Sequence, residues 1–193
     1  MEIEKPGKVW TYDDLVAMGE YTDGRKYEIF DGELVVSPSP TVDHQRIVAN
    51  LAALLRDALT KPRLAEVLFA PFDVVISPTR VVQPDLLVVA VGRRARVLQR
   101  HAAVEAPDLA IEILSPSNTK HDRVRKRRFY ARIGIREYWI VDPESESIEV
   151  LALIDGGLSY RHAGFYASDE RLRSTVFDLE LDVAQVFADP LAE

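Results

Sequence analysis

The chain has 193 residues, 31 acidic and 24 basic side chains, a formal charge of −7, 47% hydrophobic residues and 28% charged ones. That balance belongs to an ordinary globular protein, and the length suits a single domain over 1–193, since domains run to roughly 100–200 residues. With no cysteine, disulfides, thiolate metal sites and cysteine nucleophiles are excluded. Residues 1–10 carry no basic start followed by an apolar run, so no secretory signal is read there. No apolar run approaches the roughly 20 residues of a membrane span, and a cytoplasmic protein without a membrane partner is expected.

In chain order, Thr11 can cap a short helix over 12–18 that Gly19 ends. Residues 27–30 and 33–36 read as strands joined through Asp31-Gly32, a hairpin signal. After the breaker Ser37-Pro38-Ser39-Pro40, a long helix follows, with Ile47, Val48, Leu51, Leu54, Leu55, Ala58 and Leu59 at helical spacing. Asp43 is its expected cap and Pro62 closes the segment. Two strand candidates, 65–76 (broken near Pro71) and 81–91, flank the turn Ser77-Pro78-Thr79-Arg80. Residues 92–104 form a basic connection and 109–114 a short apolar strand. Thr119 and Asp122 resemble a capping box for a helix running to about Ile133 and stopping at Gly134. Strands are expected over 137–141, 147–154, 159–165 and 171–175, with a closing strand or helix over 179–187. The alternation indicates an α/β (α+β) domain, a mixed central sheet flanked by helices.

Charge is distributed unevenly. From Arg93 to Arg136 there are twelve basic residues against four acidic ones (Glu105, Asp108, Glu112, Asp122), a local +8 within a chain of net −7. Such a segment is either a solvated basic helix or a face for a polyanion.

Carboxylates inside apolar strands carry the functional signal, because a buried acid is costly unless paired, hydrogen-bonded or bound to a cation. Glu112 lies at the centre of Leu109-Ala110-Ile111-Glu112-Ile113-Leu114, Asp85 opens an apolar run after Pro84, and Glu28 sits in Tyr27-Glu28-Ile29-Phe30. Taken singly, each also has a plain structural reading: an arginine-paired or strand-end acid, a turn residue, an exposed edge acid. On the helix after residue 119, Asp122, Lys126, Phe129, Tyr130 and Ile133 form one stripe, which places Lys126 on or beside the buried face. Its plain reading is a snorkelling lysine. Together the three acids can hold Mg²⁺ (or Mn²⁺), a hard cation that lowers the pKa of a bound water. Lys126 can orient that water, help deprotonate it, or stabilise charge building on phosphorus.

Pro84-Asp85 followed by a strand Glu112 is similar to the PD-(D/E)xK nuclease pattern. The wider set is more specific: Tyr27-Glu28-Ile29-Phe30-Asp31-Gly32-Glu33-Leu34, Pro38-Ser39-Pro40 with His44-Gln45, Pro84-Asp85-Leu86, Pro107-Asp108-Leu109-Ala110-Ile111-Glu112-Ile113-Leu114-Ser115-Pro116-Ser117, Lys126 with Tyr130, and Gly134-Ile135-Arg136-Glu137-Tyr138-Trp139-Ile140-Val141-Asp142-Pro143. In this order they resemble the Uma-type family of restriction endonucleases over roughly residues 10–187. The resemblance implies a restriction-endonuclease-like core and metal-dependent hydrolysis of DNA phosphodiesters. Asp85 and Glu112 then match the acidic metal ligands and Glu28 the additional acid. The wider superfamily's lysine lies two residues after the strand acid, which is Leu114 here; the narrower family places it on the next helix, at Lys126, with Lys120 as fallback. His44 also matches a family position, although a capping or packing role is the simpler one.

DNA is the expected partner, with a low pI arguing for weak non-specific binding that falls steeply with salt. A homodimer is expected from restriction-enzyme-like geometry, supported by the apolar strands and Tyr138-Trp139. The competing readings are a catalytically silent binding or assembly module on the same fold and a hydrolase of small phosphate esters. If Asp85 or Glu112 is an uncompensated buried acid, its removal raises stability in metal-free buffer.

Overall fold

The computed structural model describes residues 2–3, 7–19, 24–115 and 120–191. In chain order the elements are β1 (Glu2–Ile3), α1 (Tyr12–Met18), β2 (Lys26–Phe30), β3 (Glu33–Ser37), α2 (Val42–Leu55, prolonged by one π-helical turn, Arg56–Thr60), β4 (Ala65–Phe69), β5 (Asp73–Ser77), β6 (Arg80–Val82) and β7 (Leu86–Ala90). They continue with α3 (Arg94–Val97), β8 (Ala102–Ala103), β9 (Leu109–Ile113), α4 (Lys120–Ile133), β10 (Glu137–Asp142), β11 (Ser147–Leu153), β12 (Tyr160–Ala167), β13 (Arg171–Arg173), β14 (Glu180–Asp182) and α5 (Val183–Phe187).

Local chemistry accounts for several of these boundaries. Thr11 caps α1 in a reciprocal capping box with Asp14. The β2–β3 hairpin turns through Asp31 and Gly32 at φ 52° and 88°, the left-handed conformation that such a tight turn demands. The cap of α2 is Thr41, not Asp43: the Thr41 hydroxyl accepts the His44 backbone N–H at 3.2 Å, and Asp43 instead lies in the first turn beside Arg46. The Thr119 cap expected for α4 lies outside the described residues. Gly134 ends α4 at φ 86°.

The molecule is α+β, with mixed sheets flanked by helices, but it has two six-stranded sheets where one central sheet was expected. The first runs β1-β3-β2-β6-β5-β8 and the second β12-β11-β10-β9-β7-β4, with β13–β14 a separate ribbon. Among the described residues parallel pairing is confined to β5–β8 and β9–β10. The difference has a clear cause. The 65–76 run, expected to break near Pro71, and the 81–91 run, expected as one strand, are each two strands in different sheets. Pro71 and Pro84 stand at the two crossings, where a residue without an N–H cannot continue a ladder. The crossings touch, since the Ala70 N–H donates to the Asp85 carbonyl at 3.0 Å.

Three apolar layers result. One face of the second sheet packs under α2, α5 and the β13–β14 ribbon through Leu51, Leu55, Leu86, Ile111, Trp139 and Val186. Its other face joins the first sheet and α4 through Phe30, Val74, Leu87, Ala110, Phe129 and Tyr138. The outer face of the first sheet is covered by α1 through Leu15, Ile29 and Val81. Tyr138 and Trp139 are fully buried core residues, so they offer no dimer surface. The 179–187 segment is a strand followed by a helix, both of the expected alternatives in succession.

Candidate active site

Strand alternation decides which acids meet. On β2, Tyr27 and Ile29 enter the layer under α1, so Glu28 points with Phe30 toward α4. On β9, Ile111 and Ile113 pack under α2, so Glu112 points with Ala110 toward α4. Asp85 has the parity of Leu87 and Val89, which face the same layer. The crossing at Pro84 brings it to where the sheets meet. From the opposite side α4 contributes Lys126 and, one turn on, Tyr130.

These side chains form one buried ionic network. The Lys126 ammonium lies 2.9 Å from Glu112 Oε1 and 3.1 Å from Glu28 Oε2. The second of these is an electrostatic contact without hydrogen-bond alignment, and Glu28 Oε2 has no hydrogen-bond donor of its own. Glu28, Asp85 and Glu112 are at most 4% exposed. All four expected residues are therefore in one place. Each acid is also held by a neutral donor. Gln83 N–H donates to Glu28 Oε1 at 3.0 Å, Ile113 N–H to Asp85 Oδ2 at 2.8 Å, and the Tyr130 hydroxyl to Glu112 Oε1.

Two members of the network stand outside the expected set or at its margin. Lys26 Nζ lies 2.7 Å from Asp85 Oδ1 and 3.6 Å from Glu112 Oε2. His44 Nε2 is 3.0 Å from Asp85 Oδ2. The position of His44 at the start of α2 is a contact with the site, not a cap. For Lys26 a signal existed in the sequence: it precedes Glu28 by two residues and so shares its face. Lys120 lies at the start of α4, but its side chain is outside what is described. Leu114, where the wider superfamily has its lysine, lines the adjoining cleft with an aliphatic side chain.

Charge balance within the network sets its protonation. Burial works against the Lys126 ammonium, but Glu112, Glu28 and Asp85 outweigh it and hold its pKa above the ordinary value. The same competition, with Asp85 and Glu112 as partners, raises Lys26. Burial would raise Asp85, yet Lys26 and the His44 hydrogen bond carry it well below the ordinary value. Burial wins at Glu112, whose pKa is raised despite Lys126 and Lys26, with Asp85 and Glu28 adding repulsion. Burial and the neighbouring Glu112 also raise Tyr130, so its hydroxyl stays a donor. Its three acid partners thus favour the ammonium form of Lys126, a donor of charge and hydrogen bonds.

Among the described residues no three acidic or histidine side chains converge as a ready-made ion cage, because the lysines stand between the acids. The donor set nevertheless fits a hard cation. Asp85 and Glu112 present oxygens to one positive centre, the Lys26 ammonium, which stands in for a cation there. Three carboxylates face only two ammoniums, and a buried Glu28 oxygen lacks a donor. Oxygen ligands and surplus negative charge are what Mg²⁺ and Mn²⁺ require. A cleft bordered by Glu28, Glu112, Arg123, Arg125 and Lys126 opens beside the network.

Comparisons with known proteins give the fold and the family. A crystal structure described as that of a putative nuclease belonging to DUF820 from Anabaena variabilis ATCC 29413 superimposes with a TM-score of 0.74 and 18% identity, covering 92% of this chain and 97% of that one. A search of curated proteins gives no match. The family Uma2, described as "Putative restriction endonuclease", matches residues 12–184, nearly the whole chain, and the chain belongs to that family.

Proposed function

We propose that the chain is a Mg²⁺- or Mn²⁺-dependent DNA endonuclease of PD-(D/E)xK type, with Asp85, Glu112 and Glu28 as its acids and Lys126 as its catalytic amine. Family membership and fold support nuclease function in general. The observation that carries the finer reading is the half-buried Lys126, whose ammonium bridges Glu28 and Glu112, with Asp85 in the same ionic network. Asp85 and Glu112 would hold the divalent ion, with Glu28 beside them. When bound, the ion supplies a water of lowered pKa and screens the negative phosphate.

The chain's own groups do the rest. As an ammonium, Lys126 would donate to a non-bridging phosphate oxygen and stabilise the charge that builds on phosphorus. Gln83 N–H, Ile113 N–H and the Tyr130 hydroxyl keep the carboxylates in place when a lysine turns from an acid to the substrate. Arg123, at the edge of the cleft, would receive a flanking phosphate, and Arg125 would do so only by exchanging Glu33 for it.

The test is incubation of purified protein with supercoiled plasmid, with and without Mn²⁺, beside Lys126→Ala. Nicking or linearisation that requires Mn²⁺ and falls about 10²–10³-fold in the variant is expected, the scale of losing one charge-stabilising donor. An intact plasmid under all conditions favours the silent binding module, and equal cleavage by the variant removes Lys126 from the reaction.

A further inference from the structure

We propose that Lys26 is the resident counter-cation of the Asp85–Glu112 pair, and that a divalent ion binds by exchange, displacing the Lys26 ammonium from between the two acids. This rests on the metal-dependent reading above and goes beyond it, since it gives a role to a residue outside the Asp85, Glu112, Glu28 and Lys126 set.

Three observations lead here. The first is position. Lys126 reaches Glu112 and Glu28, whereas Lys26 lies between Asp85 and Glu112, the two acids expected to share an ion. Lys26 Nζ, 2.7 Å from Asp85 Oδ1 and 3.6 Å from Glu112 Oε2, takes up the space between the two acids that an ion shared by them would occupy. The second is charge. Three carboxylates and two ammoniums leave the acid–lysine set one negative charge in excess. A divalent ion replacing Lys26 brings the set to neutrality, while one added with Lys26 in place makes it positive; exchange is the balanced change. The third is freedom to leave. Lys26 is the first residue of β2, and its side chain is 18% exposed, so its flexible stem can swing outward while the backbone stays paired to Ser37. The neutral donors on Asp85 and Glu112, Ile113 N–H and the Tyr130 hydroxyl, do not depend on Lys26. The acids therefore stay oriented after it goes.

Two measurements on the full chain decide the matter. Brief treatment of the wild type with an amine-acylating reagent, read by peptide mass spectrometry, reports Lys26 reactivity in EDTA and in saturating Mn²⁺. Lys26 is expected to be protected in EDTA and several-fold more reactive in Mn²⁺, with the exposed Lys61, which lies outside the network, as the internal reference. Calorimetric Mn²⁺ titration of wild type, Lys26→Met and Lys26→Arg supplies the second readout. Lys26→Met is expected to bind about tenfold more tightly, because a competing like charge is gone, and Lys26→Arg to stay near wild type. The acylation experiment needs no variant, so it stands even where Lys26→Met does not fold. If Mn²⁺ binds but Lys26 reactivity is unchanged, or Lys26→Met binds no more tightly, exchange is overturned while the nuclease reading stands. If Mn²⁺ binds no form of the protein, both fall together.

Discussion

At the scale of single residues, the network turns on compensation. Burying a carboxylate is unfavourable, and the expectation that removing Asp85 or Glu112 stabilises the metal-free protein depended on either acid being unpaired. Both are paired. Glu112→Ala strands the Lys126 ammonium against Glu28 alone and leaves the Tyr130 hydroxyl without its acceptor. A loss of about 3–5 kcal/mol, the cost of breaking one side of a buried pair, is expected in metal-free urea unfolding; unchanged or higher stability would show that the pairing contributes little. Asp85, with its folded pKa depressed, contributes stability that is present above its unfolded value near 3.9 and is lost as pH falls toward the folded value. A Tm series between about pH 5 and pH 2 is therefore expected to fall less steeply for Asp85→Asn than for wild type. Glu28, Glu112 and Lys126 were legible in the sequence because each put charge where the apolar pattern had none. His44 was less so. It lies at the start of a helix, where polar residues are ordinary, and only the tertiary meeting of α2 with the Pro84 crossing gives it Asp85 as a partner.

Among elements, the legible ones have their cause within a few residues. The Asp31-Gly32 hairpin, the Thr11 box and the Gly134 stop each depend on local backbone or side-chain chemistry. The illegible ones have distant causes. In the sequence Pro71 marks a break and Pro84 precedes an acid, but nothing local says that the strands on either side of each proline enter different sheets. That division is what brings Asp85 toward Glu28, through Gln83 and the Glu28 carboxylate it binds. The cap of α2 shows a finer limit, since Thr41 and Asp43 are both good capping residues and only geometry selects between them. Thr41→Ala is expected to cost about 1 kcal/mol, with Thr41→Ser restoring most of it, in thermal or urea unfolding. Because the hydroxyl holds the His44 backbone N–H, the same change is expected to loosen the His44–Asp85 contact, visible as a shifted His44 ring resonance in NMR spectra. An unmoved resonance would show that the cap and the site are independent.

For the whole molecule, electrostatics sets how a polyanion is met. The basic segment from 93 to 136 is less available than its composition suggests. Arg93 and Arg136 pair with Asp108, Arg94 with Glu66, Arg96 with Glu105, Arg125 with Glu33 and Arg132 with Asp31. With a net charge of −7, non-specific duplex binding in EDTA is expected to be weak, with Kd of about 10⁻⁶ M or higher, and to weaken further between about 50 and 200 mM salt; nanomolar binding that ignores salt would contradict this. Among the described residues no helix is long and apolar enough to cross a membrane. In the proposed function two sheets and one helix bring three acids and an amine together to cut DNA. The most direct test of that function is the rate of Mn²⁺-dependent plasmid cleavage by Asp85→Asn beside wild type, with circular dichroism showing that both are folded. A loss of at least about a hundredfold is expected. Cleavage at the wild-type rate would contradict the site.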